Sequence, residues 1–302
     1  MSVFTDGKTN GPGICWPDGK RIAVMVTFDF DAEFLRISRA ESKGTSIGFT
    51  DFSRGQYGPH TGLLRCLNML DAHQVKSTFF VPGAVAEKYT EQVRMIHERG
   101  HELACHGYRH ESVRGISREE EEAILDKSEA ALMAVTGKRP AGHRGPESII
   151  HPFTHELLAE RGYLYSSSMK DCDYAYLWEQ EGLELPLVVL PNDITNDDFT
   201  YYYFTFSDPA VRAMYTNREV LGNWKAEFDG LAEEGDKIFV LKLHPQMIGR
   251  ASRIAMVGDF ISYMKGHGAW ITTCENVARY VLNQHKLPRS GSAPEHHGKE
   301  AL

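Results

Sequence analysis

The chain has no long apolar run, no excess of basic residues and no paired cysteines, and each lack narrows what it can be. No segment of its 302 residues is apolar for long enough to cross a bilayer, which takes about 20 consecutive apolar positions. Lysine and arginine total 33 against 41 aspartates and glutamates, a formal net charge of -8. No basic face is available to neutralise phosphates, so neither a nucleic-acid nor a membrane partner is expected. Cys15, Cys66, Cys105, Cys172 and Cys274 are odd in number, widely spaced and free of any CxxC pair, a pattern of reduced thiols rather than of a disulfide framework. The opening residues MSVFTDGKTNGPG lack the charged and apolar segments of a secretory signal. A cytoplasmic location is the expectation.

What is present is an ordinary globular composition, 42% hydrophobic and 25% charged, long enough for a single large domain. Short apolar runs alternate with amphipathic stretches. IAVMV (22–26), STFFVPG, HELAC, LPLVVLP, KIFVLKLHP and AWITT read as strands. Helical spacing runs through Pro59 to His73, Thr90 to Arg99, Ser117 to Thr136, Asn217 to Glu234, Ile254 to Met264 and Glu275 to Leu282. Ser117 followed by Glu120 has the pattern of a capping box. The polar segment from Ser38 to Gly58 is irregular and is expected to form a loop over the site. Strand and helix in alternation over most of the chain indicate a parallel sheet, and barrel-like closure is the natural architecture at this length. The domain is expected to span residues 16–283, after an extension at 1–15 and before a polar, disordered tail at 284–302.

In such folds chemistry collects at the C-terminal ends of strands. TFDFDAE, directly after the IAVMV run, sets Asp29 and Asp31 two apart, on one face of the strand. Taken alone it is as well read as a solvated Asp-rich turn. His106 and His110, in HGYRH, follow the third strand at a spacing that one helical turn or tight loop brings together. Imidazole and carboxylate together suit a divalent ion such as Zn²⁺, which acidifies a water and polarises a carbonyl. An unliganded carboxylate beside it could act as a base. Arg144, in GHRGPES, is free of any basic cluster and could hold a carboxylate; His244, at the end of KIFVLKLHP, could protonate a leaving nitrogen.

These four segments, in this order, resemble the motifs of the polysaccharide deacetylase (NodB-homology) superfamily of metal-dependent amide hydrolases. The resemblance runs from Trp16 to the helix after Cys274. It implies a single-domain distorted (β/α) barrel, with Asp31, His106 and His110 as metal ligands and Asp29 as general base. It further implies Arg144 as tether of the base, His244 as general acid, the backbone N–H of Glu147 as oxyanion donor, and Asp171 or Asp173, in SSSMKDCDY, as the group that orients the acid. WPDGKRIAV, YGPHTGLLRCLNML and HPQMIGRASRI are similar to an intracellular branch that includes allantoinases, cyclic imide hydrolases and peptidoglycan-deacetylase-like proteins. Members of that branch without metal have lost the first-motif aspartates, which this chain keeps. A homo-oligomer, dimer or tetramer, is implied in the same way. The aromatic residue usual after Arg-x-Pro is missing, with Glu147 and Ser148 in its place, so the floor of the substrate site differs from that of sugar-binding relatives.

The expected activity is hydrolysis of a non-peptide carbon–nitrogen bond in a small cyclic imide, ureide or related amide. N-deacetylation of an amino sugar is the alternative among enzymes, and a silent metal- or ligand-binding protein the alternative of another class. Asn192 to Phe206, which mixes acids with aromatics, is open between lining a pocket and forming a subunit interface.

Overall fold

The computed structural model describes residues 13–180, 182–204 and 214–286. Its centre is β1 (Ile22–Asp29), eight residues buried on both faces. After it the chain forms α1 (Phe34–Glu41), α2 (Phe49–Tyr57) and α3 (Leu63–Ala72), then β2 (Thr78–Val81), α4 (Gly83–Lys88), α5 (Thr90–Glu98), β3 (Glu102–Cys105) and α6 (Arg118–Thr136). The second half carries β4 (Gly142–His143), α7 (Thr154–Glu160), β5 (Tyr165–Ser166), β6 (Tyr176–Gln180), β7 (Leu183–Val189) and α8 (Asp198–Tyr202). It continues through α9 (Asn217–Glu234), β8 (Lys237–Leu243), α10 (Pro245–Ile248), α11 (Ala251–Gly266), β9 (Trp270–Ile271) and α12 (Cys274–Lys286). The strands join in the order β6-β7-β5-β4-β3-β2-β1-β8, with β9 paired to the start of β1. Apart from the antiparallel β6–β7 hairpin every pairing is parallel. The sheet curls into the open half-barrel of a single mixed α/β domain, the distorted (β/α) barrel expected.

Alternation along β1 separates two cores. Ile22, Val24, Val26 and Phe28 face the outer helices, where Leu67, Val93, Trp224, Phe228 and Phe260 cover them. Ala23 and Met25 face the barrel interior, filled from below by Trp16 and by Cys274, Val277 and Val281 of α12. The same inward row continues upward through Thr27 to Asp29, so the interior turns from apolar to polar at the C-terminal ends of the strands. That is where the site lies.

Two expectations need correction. The segment from Ser38 to Gly58 is not a loop but contains α2 and the end of α1. Its polar composition hides the helices, and Gly55 lets α2 lie directly on the chain at Glu33, where a Cβ would come within 2.3 Å of the Glu33 Cα. His106 and His110 are brought together by a tight loop, one of the two arrangements expected, with Gly107 at φ 69° and His110 at φ 60°. The last helix extends to Lys286, past the boundary expected at 283. The proposed tail from 287 onward and residues 1–12 of the proposed extension lie outside the described residues. Among the described residues no helix is long and apolar enough to cross a membrane.

Candidate active site

Asp29 ends β1 and Asp31 follows it, both buried. Arg144, which follows β4, is fully buried between them and the β5 end. Its Nη1 donates to Asp29 Oδ1 at 2.6 Å and to Thr27 Oγ1 at 3.0 Å, Nε donates to the Ser167 carbonyl at 3.1 Å, and Nη2 donates to Ser167 Oγ at 3.0 Å. The guanidinium also lies 3.9 Å from the centre of the Phe80 ring. A charge removed from water needs this density of partners. Burial alone would raise the Asp29 pKa, but Arg144, helped by His106, Lys242 and His244, holds the carboxyl below the ordinary range. Asp29 is therefore an anion at any physiological pH.

Asp31 is placed differently. Both its carboxylate oxygens are buried without a hydrogen-bond partner, and burial, reinforced by the Asp29 charge against the pull of His244, pushes it up to about 7. His106 Nε2 lies 3.4 Å from Asp31 Oδ1 and His110 Nε2 lies 3.9 Å from Oδ2. His106 Nδ1 donates to the Arg144 carbonyl at 2.7 Å, which leaves the Nε2 lone pair facing the carboxylates, the tautomer that a metal ligand requires. The ligand atoms of Asp31, His106 and His110 all lie within 4.8 Å of one another. A buried carboxylate with two orphaned oxygens, faced by two neutral imidazoles, fits a divalent cation. A second acid and histidine group, Asp197, Asp198 and His244, is equally compact, but there protein cations already answer the carboxylates.

His244 follows β8. Its Nδ1 donates to Asp198 Oδ1 at 2.7 Å and its backbone N–H donates to Asp198 Oδ2 at 2.9 Å, so one carboxylate fixes both ring and backbone. Nε2 is thereby aimed at the cluster, 3.7 Å from Asp31 Oδ2 and 3.9 Å from Asp29 Oδ2. Burial works against a charge on His244, but Asp198, then Asp197 and Asp31, outweigh it and hold the imidazole up to about 9. Lys242 bridges Asp197 at 2.8 Å and lies 4.0 Å from Asp29.

Asp171 and Asp173, the expected partners of His244, do not have that role. Asp171 accepts from the Tyr176 hydroxyl at 2.8 Å. The Asp173 carbonyl accepts from the N–H of Ile238, at the opposite end of β8 from His244; at about 3.3 Å per strand residue that is ~20 Å away. Asp198 lies in the acidic and aromatic segment whose role the sequence left open, and the described part of that segment lines the pocket through Asn192, Ile194, Asp197, Phe199 and Thr200. Asp198, Lys242 and Arg39 are thus site residues that the sequence reading missed. The adjacent acids of NDDF marked the segment but not the histidine it serves.

Glu147 stands at the pocket edge with a left-handed φ of 55°, followed by Ser148 at 57°. Such consecutive strained residues concentrate at functional sites. The Glu147 carboxylate takes Arg39 of α1 at 2.5 Å, and the Arg39 guanidinium lies 4.6 Å from the Phe199 ring centre and 5.1 Å from that of Tyr203. This bridge roofs a cavity of about 130 Å³ floored by Asp29, His110, Lys242 and His244. The third acid of TFDFDAE, Glu33, turns away from the site and accepts from the Tyr89 hydroxyl and Lys88.

The chain is similar to several known proteins. A family model described as polysaccharide deacetylase matches residues 54–166. A Mycobacterium smegmatis structure assigned to the polysaccharide deacetylases superposes with a TM-score of 0.84 at 34% identity, over 93% of this chain and 97% of that one. A peptidoglycan deacetylase from Helicobacter pylori is 28% identical over 278 residues, 84% of this chain and 94% of that protein. The Puue allantoinase structure has the same fold, with a TM-score of 0.80 at 24% identity over 93% of this chain and 96% of that one. With its Asp and His cluster at the strand ends and a relative of this identity over nearly its whole length, the chain belongs to the polysaccharide deacetylase family, metal-dependent hydrolases of carbon–nitrogen bonds other than peptide bonds.

Proposed function

We propose that this enzyme hydrolyses the carbon–nitrogen bond of a small polar amide, a cyclic imide or ureide. The observation that carries this reading is the small size of the pocket: Leu35 and Arg39 of α1 line it, and the Arg39–Glu147 bridge roofs a cavity of about 130 Å³. That space suits one small ring better than a strand of linked sugars.

In this reading Asp31, His106 and His110 hold one divalent ion, zinc. Bound there, it would polarise the scissile carbonyl and acidify a water, which Asp29 needs because its own basicity is low. The chain's residues do the rest. Asp29, fixed by Arg144, takes the proton of the attacking water, and the Glu147 N–H donates to the oxygen that gains charge. His244, oriented by Asp198, gives its Nε2 proton to the departing nitrogen as the carbon–nitrogen bond breaks. A silent binding protein would need neither this base nor this acid. We also assign the protein to a homo-oligomer, a reading supported by Ile194, an apolar side chain of the pocket lining that is 57% exposed.

A second reading, N-deacetylation of an acetylated sugar, is favoured by the name of the Helicobacter pylori relative. Turnover of hydantoin, succinimide, allantoin and N-acetylated sugars by protein of known metal content separates the two. Hydrolysis confined to the acetylated sugars would replace the first reading with the second.

A further inference from the structure

Each acid that lines the pocket has an ion-pair partner. Asp29 is answered by Arg144 at 2.6 Å, Glu147 by Arg39 at 2.5 Å and Asp197 by Lys242 at 2.8 Å. Lys170, which follows β5 and also lines the pocket, is the remaining cation. Among the described residues no carboxylate lies within 4 Å of its Nζ. Its hydrogen bond runs instead to a neutral amide, the Asn192 Oδ1 at 3.2 Å. That amide cannot turn to offer more, because its Nδ2 donates to the Ser167 carbonyl at 2.8 Å.

We infer that Lys170 is a specificity residue that binds an anionic substituent of the substrate, a carboxylate, at the rim of the pocket. The inference rests on the hydrolase reading above and narrows its substrate to a carboxyl-bearing cyclic imide or ureide. An ammonium group with three donors and one neutral acceptor retains capacity for a charged partner. The local field favours the same partner: burial, then Lys242 and Arg144, lower the Lys170 pKa to about 8, so the group stays protonated at neutral pH in surroundings that favour an anion. Asp197 and Asp193 act in the opposite sense but more weakly. In the acidic and cationic segment SSSMKDCDY it is therefore the lysine that faces the chemistry, while Asp171 is taken by Tyr176.

The test uses matched pairs on the metal-loaded full chain: hydantoin against hydantoin-5-acetate, and N-acetylglucosamine against N-acetylmuramate. The carboxylate-bearing member should be preferred in kcat/KM by about 10- to 100-fold, the range of a charge-assisted hydrogen bond. Lys170→Met should abolish that preference while leaving the neutral member within about threefold, and Lys170→Arg should retain much of it. Equal turnover of both members by the wild type, or a preference that survives Lys170→Met, overturns the inference and leaves the hydrolase reading intact. An equal loss on both members also overturns it, as the mark of a general disturbance. Calorimetric titration with hydantoin-5-acetate separates the remaining case: Lys170-dependent binding without turnover of any compound supports the anion site and sinks the hydrolase reading.

Discussion

At the scale of single residues, the site depends on each buried charge being held by a particular neighbour. Arg144→Met leaves the Asp29 carboxylate buried without its strongest partner, and removal of one member of a buried pair costs about 3–5 kcal/mol. Urea denaturation should show that loss, whereas Arg39→Met, at the half-exposed roof, should cost under about 1 kcal/mol. Asp198→Asn keeps the shape beside His244 but removes the charge that fixes the ring and its proton. Turnover should fall by about 10²-fold or more, while Asp171→Asn and Asp173→Asn leave it near wild type. Equal effects from all three would contradict the orientation of His244 by Asp198. The sequence revealed Asp29, Asp31, His106, His110, Arg144 and His244 because each sits in a short motif next to a strand end. Asp198 was not legible, since its partner is 46 positions away and nothing local to NDDF ties it to a histidine.

At the scale of elements, legibility followed the strength of the local signal. The helix α6 was readable from its ends: Ser117 and Glu120 form the capping box, and Gly137 closes the helix at φ 73°. Ser117→Ala should cost about 1 kcal/mol, measured by the same denaturation. The two-residue strands β4 and β5 have no periodicity to read, yet they carry Arg144 and Ser167 into the site. The cap helices were hidden for another reason. Tertiary contact, Gly55 against Glu33, holds α2 in place rather than an apolar stripe, so composition alone reads as a loop. Gly55→Ala should cost about 1–3 kcal/mol by overpacking and loosen the roof, raising KM for small substrates more than it lowers kcat. A variant of unchanged stability and KM would show that α2 does not depend on this contact.

For the molecule as a whole, the alternation of strand and helix was enough to give the half-barrel, whereas the packing of α12 into its lower interior joins residues far apart in the chain, such as Cys274 and Trp16. Buried histidines make its stability depend on pH. Burial pushes His101 and His155 down to about 4, and burial with the neighbouring His155 charge pushes His143 down to about 3. The Ser77 N–H donates to His101 Nδ1 at 3.2 Å, a bond that a proton on that nitrogen would abolish. These folded-state values lie below the unfolded value near 6.5, so the unfolded chain binds more protons between the two. Their contribution is fully present above about pH 6.5 and is lost as pH falls toward 4. The Tm should therefore drop across that window, and His155→Gln should reduce the slope by about one proton, ~1.4 kcal/mol per pH unit where titration is complete. An unchanged slope would mean that His155 is not held neutral. The central claim, that Asp29 is the base beside a metal held by Asp31, His106 and His110, is tested most directly by comparing turnover of one confirmed substrate in wild type and Asp29→Asn at equal measured metal content. The account predicts full metal retention and a fall in kcat of about 10² to 10⁴; an Asp29→Asn enzyme that keeps its metal and turns over at the wild-type rate would contradict it.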